Sequence, residues 1–220
     1  MIVAIDGPAG AGKSTAALLV ADVLGYQLIS TGALYRAVAK EALDTGIALD
    51  EANRLAEIAA ALRVAFEVVD GTNRVRVADV DLTDALRTPQ VSSGASVVSA
   101  IPQVRDALTE LQRDYGRTLD VVMEGRDIGT VIFPDAHTKV FLTASLEERA
   151  KRRLIDLEAA GEETTIAEVL ADIQERDDRD TNRPVAPLRP AEGSVIVDAT
   201  VMSIEEVVDT IVGLAKQASS

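Results

Sequence analysis

A glycine-rich loop near the amino terminus restricts the folds open to this chain more than any other segment does. Residues 2–5 form a short apolar run typical of a buried strand, and the turn that follows holds too many glycines for a helix or strand interior. A helix-forming stretch then begins without a spacer. The spacing G-x-x-x-x-G-K-[ST] is met by Gly7, Gly12, Lys13 and Ser14.

This loop has the properties of a site for nucleotide phosphates. Glycines let main-chain N–H groups converge on one point, and the first turn of the next helix adds unpaired N–H groups and partial positive charge. Lys13 can reach the β- and γ-phosphates, and the Ser14 hydroxyl can join a Mg²⁺ coordination shell. The predicted nucleotide-binding loop consists of Gly7, Pro8, Ala9, Gly10, Ala11, Gly12, Lys13, Ser14 and Thr15.

Composition limits the size and the partners of the protein. The chain has 220 residues, 47% of them hydrophobic, enough for one substantial core with a small inserted subdomain. Its net charge of −14 should repel nucleic acid and anionic membranes, so phosphate binding must be local. The absence of cysteine excludes disulfides and thiolate sites. Because Met1 runs directly into the first strand and no stretch suits a membrane span, we expect a soluble cytoplasmic protein.

Hydrophobic patterning predicts strands alternating with helices. Further buried-strand runs occur at residues 26–29, 119–123, 139–142 and 194–197, with helical segments between them. An alternating stretch from Val64 to Val80 breaks this rhythm and predicts a small antiparallel insert. The expected fold is therefore α/β, a parallel sheet covered by helices on both faces.

Capping residues mark the starts of several predicted helices. Thr31 is predicted as the N-cap of the second helix. The spacing of a capping box, a hydroxyl residue three positions before glutamate, occurs at Ser145–Glu148, Thr165–Glu168 and Ser203–Glu206. These signals are local and predict helix starts independently of the rest of the fold.

Arginines are concentrated at predicted sheet-edge and loop positions. In parallel sheets, ligands bind at the carboxyl ends of the strands, and the strand at residues 119–123 ends in Glu124-Gly125-Arg126-Asp127. Fixed guanidinium groups can hold two polyanions in line and stabilise a phosphoryl-transfer transition state, although each one could also be a solvated salt-bridge partner. The set is Arg36, Arg105, Arg126, Arg149, Arg152, Arg153, Arg176, Arg179 and Arg183.

Three absences narrow the classes of protein that use such a loop. The sequence has no Asn-Lys-x-Asp tetrad for reading guanine, it lacks the bulk of a motor domain, and its single histidine, His137, argues against a phosphohistidine relay. His137 is expected in a surface loop. A small-molecule kinase is favoured.

Four sequence blocks resemble the bacterial cytidylate kinases, the CMP and dCMP kinases of the nucleoside monophosphate kinase superfamily. They are residues 7–15, residues 30–36, residues 124–131 with Phe133-Pro134, and residues 176–183 with Ala186-Pro187-Leu188. The resemblance runs nearly end to end, and the last two blocks are specific to the family. Two departures keep the functional group: Glu124 stands where many relatives carry aspartate, and Thr31 where others carry serine.

The resemblance implies an architecture and a reaction. It implies a single P-loop kinase domain over residues 1–220 with a five-stranded parallel core, an NMP-binding insert of three strands at about residues 62–91, and a mobile helical lid at about residues 154–166. The implied reaction is Mg²⁺-dependent phosphoryl transfer from ATP to CMP or dCMP, within pyrimidine nucleotide metabolism. Nucleotides are thus the expected partners, and we expect a monomer.

The resemblance, together with residue chemistry, assigns roles to particular side chains. The predicted catalytic residues are Lys13, Arg126, Arg152 and Arg183. ATP is bound by the glycine-rich loop with Arg149 and Arg153. The metal candidates are Ser14 and, through a bound water, Glu124. The predicted CMP-binding residues are Thr31, Arg36, Ser96, Arg105, Arg126, Asp127, Arg176, Asp180 and Arg183.

Cytosine and uracil present reversed hydrogen-bond patterns along one edge, so a cytosine reader needs acceptors for the amino group and a donor for N3. The resemblance brings Ser96, Arg105 and Asp127 near the base, where the first and last can accept and the arginine can donate.

Two alternative functions remain open: a kinase for another monophosphate or a small hydroxylated metabolite, and an ATP-dependent regulatory binding module. The second predicted anion site argues against the module.

Overall fold

The computed structural model describes residues 1–218 and has the predicted α/β architecture. Eight strands occur in chain order: β1 Ile2–Asp6, β2 Gln27–Ser30, β3 Val64–Val69, β4 Thr72–Val77, β5 Val80–Asp81, β6 Val121–Gly125, β7 Thr138–Thr143 and β8 Val195–Asp198. Five of them form one sheet in the order β2-β6-β1-β7-β8, and every pairing in it is parallel.

Helices cover both faces of this sheet. They are α1 Lys13–Leu24, α2 Thr31–Thr45, α3 Ala52–Ala61, α4 Pro89–Val98, α5 Pro102–Thr118, α6 Leu146–Ala159, α7 Ile166–Asn182 and α8 Ile204–Ala218, with a 3₁₀ turn at Ala85–Arg87 and a π-helical turn at Ile128–Ile132. Among the described residues no helix is both long and apolar enough to cross a membrane.

Two hydrophobic cores lie on opposite faces of the sheet because its central strands are apolar on both sides. On one face, Ala4 and Met123 pack with residues of α2, α3 and α5. On the other, Val3 and Val122 pack with residues of α1 and α8. The apolar runs that predicted buried strands therefore supply side chains to both cores.

The predicted antiparallel insert is a separate three-stranded sheet, in the order β3-β4-β5. Its edge strand β3 is attached to the main body by side chains that donate to its main-chain carbonyls. Gln27 Nε2 donates to Phe66 O at 3.0 Å, and the Tyr115 hydroxyl donates to Val64 O at 2.6 Å. The Phe66 and Tyr115 rings also meet edge to face, with centroids 5.7 Å apart.

The helix starts differ from the predictions at two points. Ser30, not Thr31, is the N-cap of α2; Thr31 is already helical, and its hydroxyl donates to Glu124 O at 2.9 Å. At α6, Ser145 accepts from Glu148 N, but the Glu148 carboxylate accepts from Arg152 instead of closing the capping box. The boxes at Thr165–Glu168 and Ser203–Glu206 are reciprocal as predicted.

Helices α6 and α7 form an antiparallel pair beside the sheet. They bury a small core of their own around Ala150, Val169 and Ile173. The range 154–166, predicted as the lid, contains the last turns of α6 and the connection to the first residue of α7.

Candidate active site

A cavity of about 540 Å³ opens at the carboxyl ends of the central strands. Its walls include the loop after β1, the first turns of α2 and the segment after β6. Residues from α4, α6 and α7 close its sides. Parallel strands all point their carboxyl ends to one edge, so segments far apart in sequence meet here.

The loop between β1 and α1 depends on glycine at defined positions. Gly7 has φ +152°, and a Cβ built there would lie 1.9 Å from Leu142 O, so no side chain fits. Gly10 and Gly12 have φ of +74° and +88°, a region that other residues rarely adopt. The loop can therefore curl tightly over the start of α1.

Lys13 is buried in this loop, with only 5% of its surface exposed. Its ammonium donates to Pro8 O at 2.7 Å. Burial, followed by the nearby positive charge of Arg126, lowers the pKa of Lys13 from 10.5 to about 7. Phosphate oxygens entering the cavity would stabilise the charged ammonium.

Glu124 lies beside the loop serine. Its Oε1 accepts from Ser14 Oγ at 3.1 Å and from Ser30 Oγ at 2.5 Å. A hydroxyl and a carboxylate within hydrogen-bond distance suit Mg²⁺, which binds one or two protein oxygens and completes its shell with phosphate and water. No group of three or more His, Cys, Asp or Glu in residues 1–218 is arranged to hold a metal alone.

The opposite end of the cavity is organised around Asp127. Both of its carboxylate oxygens are engaged, Oδ2 by Arg105 and Oδ1 by Arg183 at 3.4 Å. All three side chains are buried. The Arg105 guanidinium also lies 5.6 Å from the centre of the Tyr35 ring. A buried carboxylate that accepts from two arginines is held in a fixed direction.

A second ion pair separates the two ends of the cavity. Arg126 Nε donates to Asp180 Oδ2 at 2.8 Å. Burial raises the pKa of Asp180, but the charge and hydrogen bond of Arg126, together with the charges of Arg183 and Arg176, outweigh it, and the pKa is lowered. Arg183 Nη1 lies 4.0 Å from Asp180 Oδ1, and Arg36 and Arg176 line the same cavity. This region is suited to a further anion.

Comparison with known proteins identifies the family. The family model for cytidylate kinase matches residues 3–217. A cytidylate kinase of Geobacter sulfurreducens is 49% identical over 217 residues, covering 99% of this chain and 93% of the relative. One from Pseudomonas aeruginosa is 48% identical over 213 residues, covering 96% and 93%. The chain belongs to the cytidylate kinase family.

A distant solved structure supports the fold. An uncharacterized protein from Eubacterium ventriosum aligns over 98% of both chains with a TM-score of 0.53 and 14% identity. At that identity the likeness concerns the fold alone. In this member of the cytidylate kinase family, the roles of the side chains therefore follow from their own positions.

Most of the residues predicted from sequence meet in the 540 Å³ cavity. Of the predicted catalytic, nucleotide-binding and metal residues, all but three line it; the exceptions are Gly7, Pro8 and Arg149. Arg149 lies behind the glycine-rich loop, where it donates to Ala9 O and Ala144 O at 3.0 Å each and pairs with Asp177. Its predicted contact with ATP stays a prediction, and its contacts here support the loop.

Sequence reasoning named Arg179 among the clustered arginines without giving it a role, and it missed other residues at the site. Arg179 donates to Ser96 Oγ at 2.6 Å, so the hydroxyl predicted to read cytosine is engaged from α7. A second cavity of about 310 Å³ adjoins the loop, and Ala199, Met202 and Val207 form part of its wall. Ala199, Met202 and Val207 follow β8 in the sequence, at the sheet edge where ligands bind. That position is the signal from which sequence reasoning could have found them.

Proposed function

We propose that this protein transfers the γ-phosphoryl group of ATP to CMP or dCMP, giving ADP with CDP or dCDP. One observation carries the proposal: a single cavity has a phosphate-binding loop at one end and a buried, doubly paired aspartate at the other. Membership of the cytidylate kinase family supports the same reaction. Its relatives from three bacterial genera bear that name at 47–49% identity.

The donor nucleotide is assigned to the glycine-rich loop and the adjoining cavity. Main-chain N–H groups of the loop bind the β- and γ-phosphates, and Lys13 neutralises the charge that develops as the γ-phosphoryl group leaves. The 310 Å³ cavity suits the adenine ring because Leu142, Met202 and Val207 give it apolar walls. Arg152 lies on the border of both cavities and can follow the phosphates.

Mg²⁺ is assigned to Ser14, with Glu124 acting through bound water. When present, the metal neutralises phosphate charge and orients the γ-phosphoryl group for in-line transfer. Ser30 donates to the same carboxylate oxygen as Ser14 and holds it toward the loop. These three side chains come from α1, β2 and β6.

The acceptor phosphate is assigned to Arg36, Arg126 and Arg183, with Arg176 and Asp180 on the sugar side. Against the effect of burial, the neighbouring arginines lower the pKa of Asp180, so its carboxylate can accept from a ribose hydroxyl. A bound phosphate would compete with Asp180 for Arg126, which leaves the carboxylate free for the sugar. The arginines hold the attacking phosphate oxygen near the γ-phosphorus, and no covalent intermediate with the protein is needed.

Cytosine selection is assigned to Ser96, Arg105 and Asp127. The carboxylate and the hydroxyl accept from the exocyclic amino group, and the guanidinium donates to N3. Uracil would present an oxygen to these acceptors, and each unpaired buried contact costs about 1 to 3 kcal/mol. Arg179 donates to the Ser96 hydroxyl oxygen in this structure, and the second lone pair of that oxygen can accept from the amino group.

Closure and assembly complete the proposal. The lid at residues 154–166, with Arg152 and Arg153 at its base, closes over ATP and excludes water, and residues 62–91 form the NMP-binding insert. We infer a single P-loop kinase domain that acts as a monomer in the cytoplasm. Its net charge of −14 supports the absence of a nucleic-acid partner.

The test is an acceptor panel with MgATP. ADP release is measured with CMP, dCMP, UMP, AMP, GMP and small hydroxylated metabolites. We expect CMP and dCMP to give the highest kcat/KM. Another acceptor with a higher value would refute the assigned substrate, and ATP hydrolysis that no acceptor stimulates would point to a regulatory module.

A further inference from the structure

The residue that reads the base is held by a π-helical turn. Asp127 immediately precedes the turn Ile128–Ile132, and its main-chain oxygen accepts from Val131 N at 2.9 Å and from Ile132 N at 3.2 Å. Turns of this kind are rare and occur often at functional sites. The position of the Asp127 main chain therefore depends on the last two residues of the turn.

The start of the turn is held by a carboxylate from β1. Asp6 is only 3% exposed, and its two oxygens accept from Ile128 N at 2.8 Å and from Gly129 N at 2.7 Å. Gly129 also packs closely, since an added Cβ would lie 3.2 Å from Ala191 Cβ. One end of the turn is thus fixed to the strand that leads into the glycine-rich loop.

The end of the turn is held by an arginine of α5. Arg113 Nη2 donates to Val131 O at 3.2 Å, and its Nε donates to Ile132 O at 3.3 Å. The peptide group between Val131 and Ile132 accepts from Arg113 through its oxygen and donates to Asp127 through its nitrogen. A hydrogen-bonded chain therefore runs from the guanidinium to the Asp127 main chain, and each bond polarises the next.

The same helix also holds the Asp127 side chain. Arg105, eight positions before Arg113 on α5, pairs with the carboxylate. The two arginines lie roughly 12 Å apart along the helix axis, at 1.5 Å per residue. Helix α5 therefore fixes both the main chain and the carboxylate of Asp127, whereas Arg113 does not line the cavity itself.

We propose that Arg113 is a positioning residue for cytosine recognition, acting through the Val131–Ile132 peptide on Asp127. The inference rests on the proposed function, because its kinetic readout is the preference for CMP. Loss of the two charge-assisted hydrogen bonds lets the turn relax and moves the Asp127 carboxylate away from its productive position. The glycine-rich loop and the ATP site keep their structure.

The chain offers a matched control on the same helix. Arg117 also pairs with Glu110, as Arg113 does, but its other partner is Asp114 rather than the turn. The variants Arg113→Gln and Arg117→Gln each remove one guanidinium from α5 and from the Glu110 pair. Only the first removes a donor to the π-helical turn.

Wild-type turnover on CMP is measured first, so that a failure of the proposed function is seen before the variants are compared. For Arg113→Gln we expect KM for CMP to rise on the order of tenfold and the CMP to UMP ratio of kcat/KM to narrow, with KM for ATP nearly unchanged. Arg113→Lys should restore part of the preference. Arg117→Gln should behave as wild type.

Amide exchange supplies a readout that needs no substrate. The Ile132 amide should exchange faster in Arg113→Gln than in Arg117→Gln. Equal kinetics and exchange in the two variants, against an active wild type, would overturn the positioning role. The positioning role would also be overturned if Arg113→Gln lost activity with equal changes in KM for CMP and KM for ATP and had a lower melting temperature. That pattern indicates a general structural role.

Discussion

Replacing Lys13 with methionine tests whether burial of this lysine, which we propose to be catalytic, costs stability. The side chain is 5% exposed, and its pKa is lowered from 10.5 to about 7, first by burial and then by Arg126. The fall from 10.5 to about 7 means that keeping the ammonium charged in the folded protein costs about 5 kcal/mol of stability, at about 1.4 kcal/mol per pKa unit. Methionine keeps the length of the stem and removes the charge.

The sign of the pH dependence follows from proton binding. Between pH 7 and pH 10.5 the unfolded chain binds a proton at Lys13 that the folded protein does not bind, so this residue makes folding more favourable as pH rises. Below pH 7 the burial of charged Lys13 destabilises the fold by its full amount, and above pH 10.5 this destabilisation disappears. Lys13→Met should therefore be more stable than wild type at pH 6, by a margin that shrinks by about 3 kcal/mol at pH 9.

Urea unfolding at the two pH values measures this margin, with Lys151→Met as the control for an exposed lysine. The control should follow wild type at both pH values. A margin for Lys13→Met that is equal at pH 6 and pH 9 would refute the argument from burial. In the same preparation, turnover should fall by roughly 10² to 10³, the usual loss for one transition-state contact. Wild-type kcat in the folded variant would refute the catalytic role.

Three further predictions concern the acceptor and the lid. Single alanine variants of Arg36, Arg126 or Arg183 should raise KM for CMP and lower kcat, while KM for ATP changes less. If they weaken only the binding of ATP, the assignments of the donor and acceptor phosphate sites must be exchanged. Asp127→Ala should reduce CMP activity and narrow the CMP to UMP ratio of kcat/KM, because the repulsion of uracil is lost with the attraction for cytosine. An unchanged ratio would exclude Asp127 from base selection. Amide exchange at residues 154–166 should slow far more with ATP and CMP together than with ATP alone, and equal protection would contradict lid closure.

Features encoded within a few neighbouring residues could be predicted from the sequence. The glycine-rich loop needs glycine wherever φ is positive or a Cβ would clash, so its spacing is visible in the sequence. Capping boxes at Thr165–Glu168 and Ser203–Glu206 close within one turn and form as predicted. The apolar runs of the central strands were predicted because both of their faces are buried.

Capping predictions failed where another partner competed for the same side chain. Glu148 has the position of a capping residue but binds Arg152, because an ion pair is available one turn later. The Thr31 hydroxyl donates to Glu124 O instead of capping its own helix, since β2 and β6 are paired at that point. The partner of Glu148 lies four residues later on the same helix, whereas the partner of Thr31 is 93 positions away in the sequence.

The membership of the site was predicted from sequence, but its internal pairing was decided by the tertiary structure. Asp127 is held by Arg105 and Arg183, from α5 and the end of α7, and not by its neighbour Arg126, which pairs with Asp180. Packing of helices onto a parallel sheet brings these elements to one edge, and burial then forces each charge to find a partner. The same packing directs Arg149 to the back of the loop, a position that residue type and spacing do not determine.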